Sequence, residues 1–358
     1  MDLLLTGATG SVGVELVAQL LAHPQLRALR CLVRGPDAPG RLRDALCRAG
    51  YGACALDPRL HVLPGDLLEP NLGLGLQTRL RLRSTLTHVL HGAASIRFDL
   101  DEEDTFPINV EGTRRIIAVA LDTGRPIRFG HLSTLFVVGR RVGSIPENAS
   151  PSELGFLNAY EASKWQAERL VRSAELDASI YRLPLLLGRA RDGYVHHYLE
   201  AHMLLEAFSR GWFPEFPADA TGSLPLMPTD VAAREVLTLL LERRTPEATH
   251  AIAPGEALIG FADLFELVRT TLREAGSKAP PPPRFVDADE WGALLHDDET
   301  PSGAFADMLL ETTREYLLLS RHFEAGRHRR RLGPAPCPHA WLPGVLRHCI
   351  AAQWGRAC

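Results

Sequence analysis

Along the first third of the chain, apolar residues recur in two alternating rhythms. Leu3 to Leu5 is a short continuous apolar run. A glycine-rich turn follows, then Val12 to Leu21 with apolar positions at helical spacing, then a second run from Leu29 to Val33. A continuous run bounded by turn residues reads as a strand buried on both faces, and the 3.6-residue rhythm as a helix packed on it, which together make a βαβ unit. Further runs at His61 to Pro64, Thr87 to His91, Arg128 to Ser133 and Ala178 to Arg182 are separated mostly by helical stretches. This alternation predicts an α/β fold, a Rossmann doubly wound sheet of parallel strands.

Beyond residue 182 the rhythm weakens. Gly211 to Pro228, rich in Gly, Pro and aromatics, reads as loop, and Thr229 to Glu242 as helix. Pro280 to Pro283 reads as a stiff connector, and Ala304 to Arg321 and Leu342 to Gln353 as helices. The expected organisation is a nucleotide-binding domain of residues 1–182 plus about 229–255, and a smaller, mostly helical substrate-binding lobe of about 183–228 and 256–358. There is no internal repeat.

Composition narrows the classes. The 358 residues are 46% hydrophobic and 23% charged with a net charge of −4, which excludes a disordered chain and argues against a nucleic-acid binder. No run approaches the roughly 18 apolar residues of a membrane span, and the N-terminus lacks a basic region and cleavage site. Six cysteines without a CxxC pair read as reduced thiols of a cytoplasmic protein. Cys337, His339, His348 and Cys349 match no zinc spacing, so no metal is expected. Met1 stands directly before the first strand, as in a free-standing protein. Only two of the 39 basic residues, Lys164 and Lys278, are lysines; the other 37 are arginines.

The turn after the first strand is Thr6-Gly7-Ala8-Thr9-Gly10-Ser11-Val12-Gly13. In a βαβ unit this spacing builds a dinucleotide site. Gly7 permits the tight turn, the backbone of Thr9, Gly10, Ser11 and Val12 approaches a pyrophosphate at the helix N-terminus, and Gly13 packs helix on strand. The second strand ends in Val33-Arg34-Gly35, where an NAD site presents a carboxylate to the ribose. A guanidinium there suits a 2′-phosphate, which favours NADP(H), with Arg41 as second ligand. Further on, Tyr160 and Lys164 lie four apart on one helix face, where an ammonium lowers the phenol pKa and readies it for proton transfer.

Together with Ser133-Thr134 after the fifth strand, these features make residues 1 to about 260 resemble an extended short-chain dehydrogenase/reductase. Cys31-Leu32-Val33-Arg34, Pro64-Gly65-Asp66-Leu67, His91 to Asp99, Asn109 to Thr113 and His131 to Thr134 are similar to a narrower branch. That branch holds the fatty acyl-CoA reductases and the terminal thioester reductase domains of carboxylic acid reductases and nonribosomal peptide synthetases. The resemblance implies NADPH held also by Asp66, Leu67, Ala93, Ala94, Ser133, Tyr160, Lys164 and Pro184. It implies Asn109 supporting the active-site helix, and a catalytic set of Thr134, Tyr160 and Lys164 with Ser133 as fallback for Thr134. Gly92 departs from the branch's usual Asn or Cys, and Arg182-Leu183-Pro184 displaces its Arg-Pro by one residue, at the loop expected over the nicotinamide.

The implied activity is reduction of an acyl thioester, on coenzyme A or an acyl or peptidyl carrier protein, to an aldehyde or onward to an alcohol. The alternatives are a ketone reductase or nucleotide-sugar epimerase of the same family, and a non-catalytic NADP-binding protein. Arg321-His322 and Arg327 to Arg331 form a basic cluster that suits an acidic carrier or coenzyme A phosphates, or else a solvated helix end. His196, His197 and His202 read as a substrate mouth or a helix surface, and Trp212, Phe213 and Phe216 as an acyl channel or core. Oligomeric state leaves no mark on the sequence.

Overall fold

The computed structural model describes residues 1–220, 222–242, 249–294, 308–309 and 313–356. It divides into two compact units: residues 1–139, 147–183 and 230–252, and residues 140–146, 184–229 and 253–358. Residues 140–146, placed by the sequence reading in the first unit, fall in the second.

The first unit carries seven parallel strands: β1 (Asp2–Thr6), β2 (Ala28–Val33), β3 (Leu60–Pro64), β4 (His88–His91), β5 (Arg128–Thr134), β6 (Asp177–Leu183) and β7 (Thr249–Ala251). Their order, β7-β6-β5-β4-β1-β2-β3, reverses direction between β1 and β4, the switch point at which such sheets bind ligands. β1 and β2 are buried at every residue, because helices cover both sheet faces and leave no polar side. The polar pair inside this layer, Asp2 and Arg30, is joined across β1 and β2. β7 extends the sheet by one strand beyond the six apolar runs of the sequence. It pairs Thr249 to Ala251 with Ile180 to Arg182.

The helices are α1 (Ser11–Leu21), α2 (Ala38–Arg48), α3 (Leu76–Thr85), α4 (Glu102–Phe106), α5 (Gly112–Leu121), α6 (Ala159–Ser173) and α7 (Thr229–Leu241). Pro107, without an N–H, opens a widened π-type turn, Pro107–Glu111, between α4 and α5, and Asn109 sits in it. In α6 the buried face carries Glu161, Ser163, Lys164 and Glu168. A helix that buries charge along one face marks a site rather than ordinary packing.

The second unit contains helices Glu200–Ser209, Phe261–Glu274 and Pro338–Ala351 and three short parallel strand pairs. Two of those pairs draw on Gly211 to Pro228, read from the sequence as loop. Phe213 and Phe216 are buried among Phe208, Phe261, Phe265 and Leu264, so both are core rather than channel wall. Trp212 lies against that core under Arg210. Of the helix expected at Ala304 to Arg321, residues 304–307 and 310–312 lie outside the described residues, and Arg321 opens the strand Arg321–Phe323. No helix among the described residues is long and apolar enough to cross a membrane.

Candidate active site

The glycine turn has the geometry its spacing requires. Gly7 sits at φ +80°, and a Cβ there would lie 2.7 Å from the Gly92 backbone; on Gly13 it would lie 2.0 Å from Gly7 O. Gly10 caps α1 without a side chain of its own, at the positive end of the helix where the amides of Ser11 and Val12 begin the first turn. A turn in which a side chain at Gly7 or Gly13 would strike backbone, opening onto a helix N-terminus, fits a dinucleotide phosphate.

At the end of β2, Arg41 Nη1 donates to Arg34 O at 2.5 Å, so both predicted phosphate ligands gather there, exposed. The nearest carboxylate along the chain, Asp37, accepts the Gly40 N–H at 3.1 Å as the cap of α2 and is committed to that helix. Asp66 Oδ1 accepts Leu68 N–H at 3.0 Å, shaping the turn after β3, and Leu67 is buried with its carbonyl bonded to Arg115.

Loop and active-site helix are joined by Asn109. Its Oδ1 accepts Ser95 N–H at 2.8 Å, and its Nδ2 donates to Ser95 O and Ser163 Oγ, both at 2.9 Å. Ser163 in turn donates to Tyr160 O at 2.8 Å. Ala93 is fixed by its N–H to Thr6 Oγ1 at 3.0 Å, with Ala94 beside it on the loop. Tyr160 occupies the first turn of α6. Asn158 accepts Glu161 N–H there at 3.0 Å and Glu161 accepts Leu157 N–H at 2.9 Å, a reciprocal cap that holds the phenol-bearing turn. The Phe98 ring lies 5.5 Å from the Tyr160 ring. Beside it a cleft of about 570 Å³ is lined by Phe98, Leu100, Phe156 and Leu157 together with Asp99, Asp101 and Glu102.

One turn along, Lys164 is buried and donates to Leu132 O at 2.6 Å. Burial pulls its pKa down to about 8 against the upward pull of Glu168. The two hydroxyls at the end of β5 differ. Ser133 donates to Glu168 Oε1 at 2.7 Å, a carboxylate also held by Arg182 (Nε 2.9 Å, Nη2 2.8 Å) and Arg172 (2.7 Å). Desolvation pushes the Glu168 pKa up, but the Arg182 bond and the two guanidinium charges together bring it below the usual range. Ser133 therefore belongs to a buried ionic group, its proton committed to Glu168. Thr134 Oγ1 only accepts Phe136 N–H at 3.3 Å, and its proton has no acceptor among the described residues. Arg182, in the strand run read from the sequence, lies on β6 with its guanidinium on Glu168 of α6. Pro184 begins the second unit.

In the second unit, Arg329 of the basic cluster donates to Ala253 O at 2.9 Å and Gly333 O at 3.3 Å, so it holds the fold rather than facing a partner, while Arg327, Arg330 and Arg331 are exposed. His202 is buried and accepts Leu199 N–H at 3.1 Å. Desolvation lowers its pKa to about 4, making it a helix cap and not a mouth residue. His196 meets Tyr194 Oη at 3.1 Å and stacks edge-on with His197. Among the described residues no three His, Cys, Asp or Glu side chains are grouped to hold a metal.

Residues 5–236 match the NAD-binding family described as Male sterility protein. Among curated proteins, the isonitrile lipopeptide synthase of Streptomyces coeruleorubidus is 30% identical over 320 residues, 86% of this chain. The chain spans about a fifth of that relative's length. Among solved structures, the terminal R domain from the myxalamid PKS-NRPS pathway superposes with a TM-score of 0.81 at 23% identity, covering 99% of this chain and 91% of that one. The reductase domain of a nonribosomal peptide synthetase from Mycobacterium tuberculosis gives 0.73 at 25%, with the same coverage. The chain therefore belongs to the NAD-binding family described as Male sterility protein.

Proposed function

We propose that the chain reduces an acyl thioester, carried on a carrier protein or coenzyme A, to an aldehyde with NADPH. The observation that carries this reading is the Thr134 hydroxyl, whose proton is uncommitted at the end of β5 while its neighbour's is bound to Glu168. Such a donor suits a developing oxyanion. Arg34 and Arg41, with Asp37 committed elsewhere, support NADPH over NADH. The relatives named as peptide synthase and reductase domains support a carrier-bound thioester.

Bound NADPH supplies the hydride. Thr134 and Tyr160 donate hydrogen bonds to the thioester oxygen as its carbonyl carbon gains a C–H bond, and Lys164 keeps the Tyr160 phenol acidic. Tyr160 protonates the oxyanion to give the hemithioacetal; as its C–S bond breaks the hydroxyl proton returns to Tyr160 and the leaving sulfur is protonated from solvent, so that aldehyde and thiol leave. Onward reduction to the alcohol would need a second NADPH and would halve the thiol released per NADPH. The cleft beside Phe98 and Leu157 takes the acyl chain, its apolar lining of Phe98, Leu100, Phe156 and Leu157 matching a hydrocarbon.

NADPH oxidation measured with a panel of acyl-CoA and acyl-carrier thioesters, together with thiol release and mass spectrometry of products, tests this. One thiol per NADPH with aldehyde formation is the expected result. Ketone turnover without thiol release would overturn it.

A further inference from the structure

Behind the candidate catalytic lysine lie two buried histidines that the proposed chemistry does not use. Lys164 Nζ, besides donating to Leu132 O, faces His131 Nε2 at 3.5 Å, the long limit of a hydrogen bond. An ammonium has three donors, so these two acceptors leave one N–H. A cation beside Nε2 requires a lone pair there, which puts the His131 proton on Nδ1. That atom is buried with no hydrogen-bond partner among the described residues. Desolvation first, then the charges of Lys164 and Arg172, hold the ring neutral. A buried ring N–H without an acceptor is destabilising, and the surrounding strand is otherwise apolar at Phe129 and Leu132. Contact with Lys164 is the interaction that favours an imidazole here.

His91, 5.4 Å away ring to ring, is fixed in the other tautomer. Thr6 Oγ1 accepts the N–H groups of Gly92 and Ala93, so its own proton is directed to His91 Nδ1 at 2.7 Å. His91 Nε2–H then donates to Thr113 Oγ1 at 3.0 Å, and Thr113 donates to Asn109 O at 2.6 Å. Both His91 nitrogens are committed, which leaves His131 as the side-chain acceptor for the ammonium.

We infer that His131 is a positioning residue for Lys164: its Nε2 and the Leu132 carbonyl hold the ammonium by two N–H groups, so that the third serves the cofactor ribose and Tyr160. This rests on Lys164 being the catalytic lysine proposed above. One carbonyl acceptor alone lets an ammonium rotate about a single bond, whereas two fixed acceptors define where the remaining donor points. The other charges around it are Glu168 and Arg172 on α6 and Arg182 on β6, the last neutralised by Glu168. None of them offers a neutral acceptor.

The two-lysine composition makes the test direct. A protein labelled with ¹³Cε-lysine gives two side-chain signals, from Lys164 and the exposed Lys278. In His131→Leu the midpoint of the Lys164 titration is expected to move down by about one pH unit, because the ammonium loses an acceptor. The Lys278 signal stays in place, kcat falls about tenfold, and KM for the thioester holds within about twofold. His131→Gln, which keeps an acceptor oxygen near the Nε2 position, restores both readouts. If His131→Leu fails to fold, His131→Asn, too short to place an acceptor there, takes its part. An unchanged Lys164 titration, or a moved titration with unchanged kcat, overturns the inference. Absence of thioester turnover in the unmodified protein overturns the proposed function instead, and the titration still decides the role of His131.

Discussion

The Ser133 hydroxyl donates to Glu168 Oε1 at 2.7 Å with both side chains buried, while the hydroxyl of Thr134, next along the strand, keeps its proton. Adjacent residues with similar chemistry therefore do different work. Ser133→Ala removes one donor from a buried carboxylate and is expected to cost about 1–3 kcal/mol in urea unfolding, with kcat within about threefold of wild type. Thr134→Ala is expected to leave stability nearly unchanged and lower kcat about 100-fold, the effect of losing one oxyanion donor. The opposite pattern would make Ser133 the carbonyl-orienting residue.

The same ionic group shows where sequence reading stops. Glu168, Arg172 and Arg182 look in sequence like solvated charges of an arginine-rich chain, and only the fold reveals one carboxylate shared by two guanidiniums under α6. Six of the seven strands announce themselves, since burial on both faces demands continuous apolar runs. β7 does not, because Thr249-His250-Ala251 is three residues long and borrows its place from the β6 edge. The glycine cradle and the Tyr160–Lys164 spacing are local in sequence and were legible. His91 and His131 act through partners 85 and 33 residues away, which periodicity cannot detect.

Arg41 bonds the Arg34 carbonyl at the end of β2, and the nearby Asp37 uses its Oδ1 to cap α2. In Arg34→Ala/Arg41→Ala, affinity for NADPH is expected to fall about 10–100-fold, the worth of one charge-assisted phosphate contact or slightly more, with NADH affinity unchanged. Fluorescence titration of both cofactors measures this. Equal losses for NADPH and NADH would show that the arginines support the loop rather than read a phosphate.

Lys164, with its pKa pulled to about 8 chiefly by burial, loses its ammonium as pH rises above that value. The hydride-transfer rate in the wild type is therefore expected to decline on the alkaline side of about pH 8. Lys164→Arg keeps a charge throughout, so that decline should vanish while the rate at pH 7 drops about 100-fold, because a planar fork does not fit the compact site. Lys278→Arg, at an exposed position, should match wild type at every pH. Pre-steady-state NADPH oxidation across pH 6 to 10 separates the outcomes. An alkaline decline that persists in Lys164→Arg would assign it to another group.

His91 is buried between Thr6 and Thr113, and desolvation, aided by the charge of Lys164, lowers its pKa to about 3. The unfolded chain carries the same ring near 6.5, so between about pH 6.5 and 3 the unfolded state binds the extra proton. The stability His91 contributes is complete above about pH 6.5 and is lost on acidification by about 1.4 kcal/mol per pH unit. His91→Gln removes that one proton and keeps polar atoms near both threonines. Its unfolding free energy should be lower than wild type at pH 7, and the gap should close steadily as pH falls towards 4.5, since all other titrating groups are common to both proteins. Urea unfolding at four or five pH values reads the two slopes. Parallel lines would mean that His91 is already protonated in the fold, with its Nδ1 donating to Thr6 rather than accepting from it.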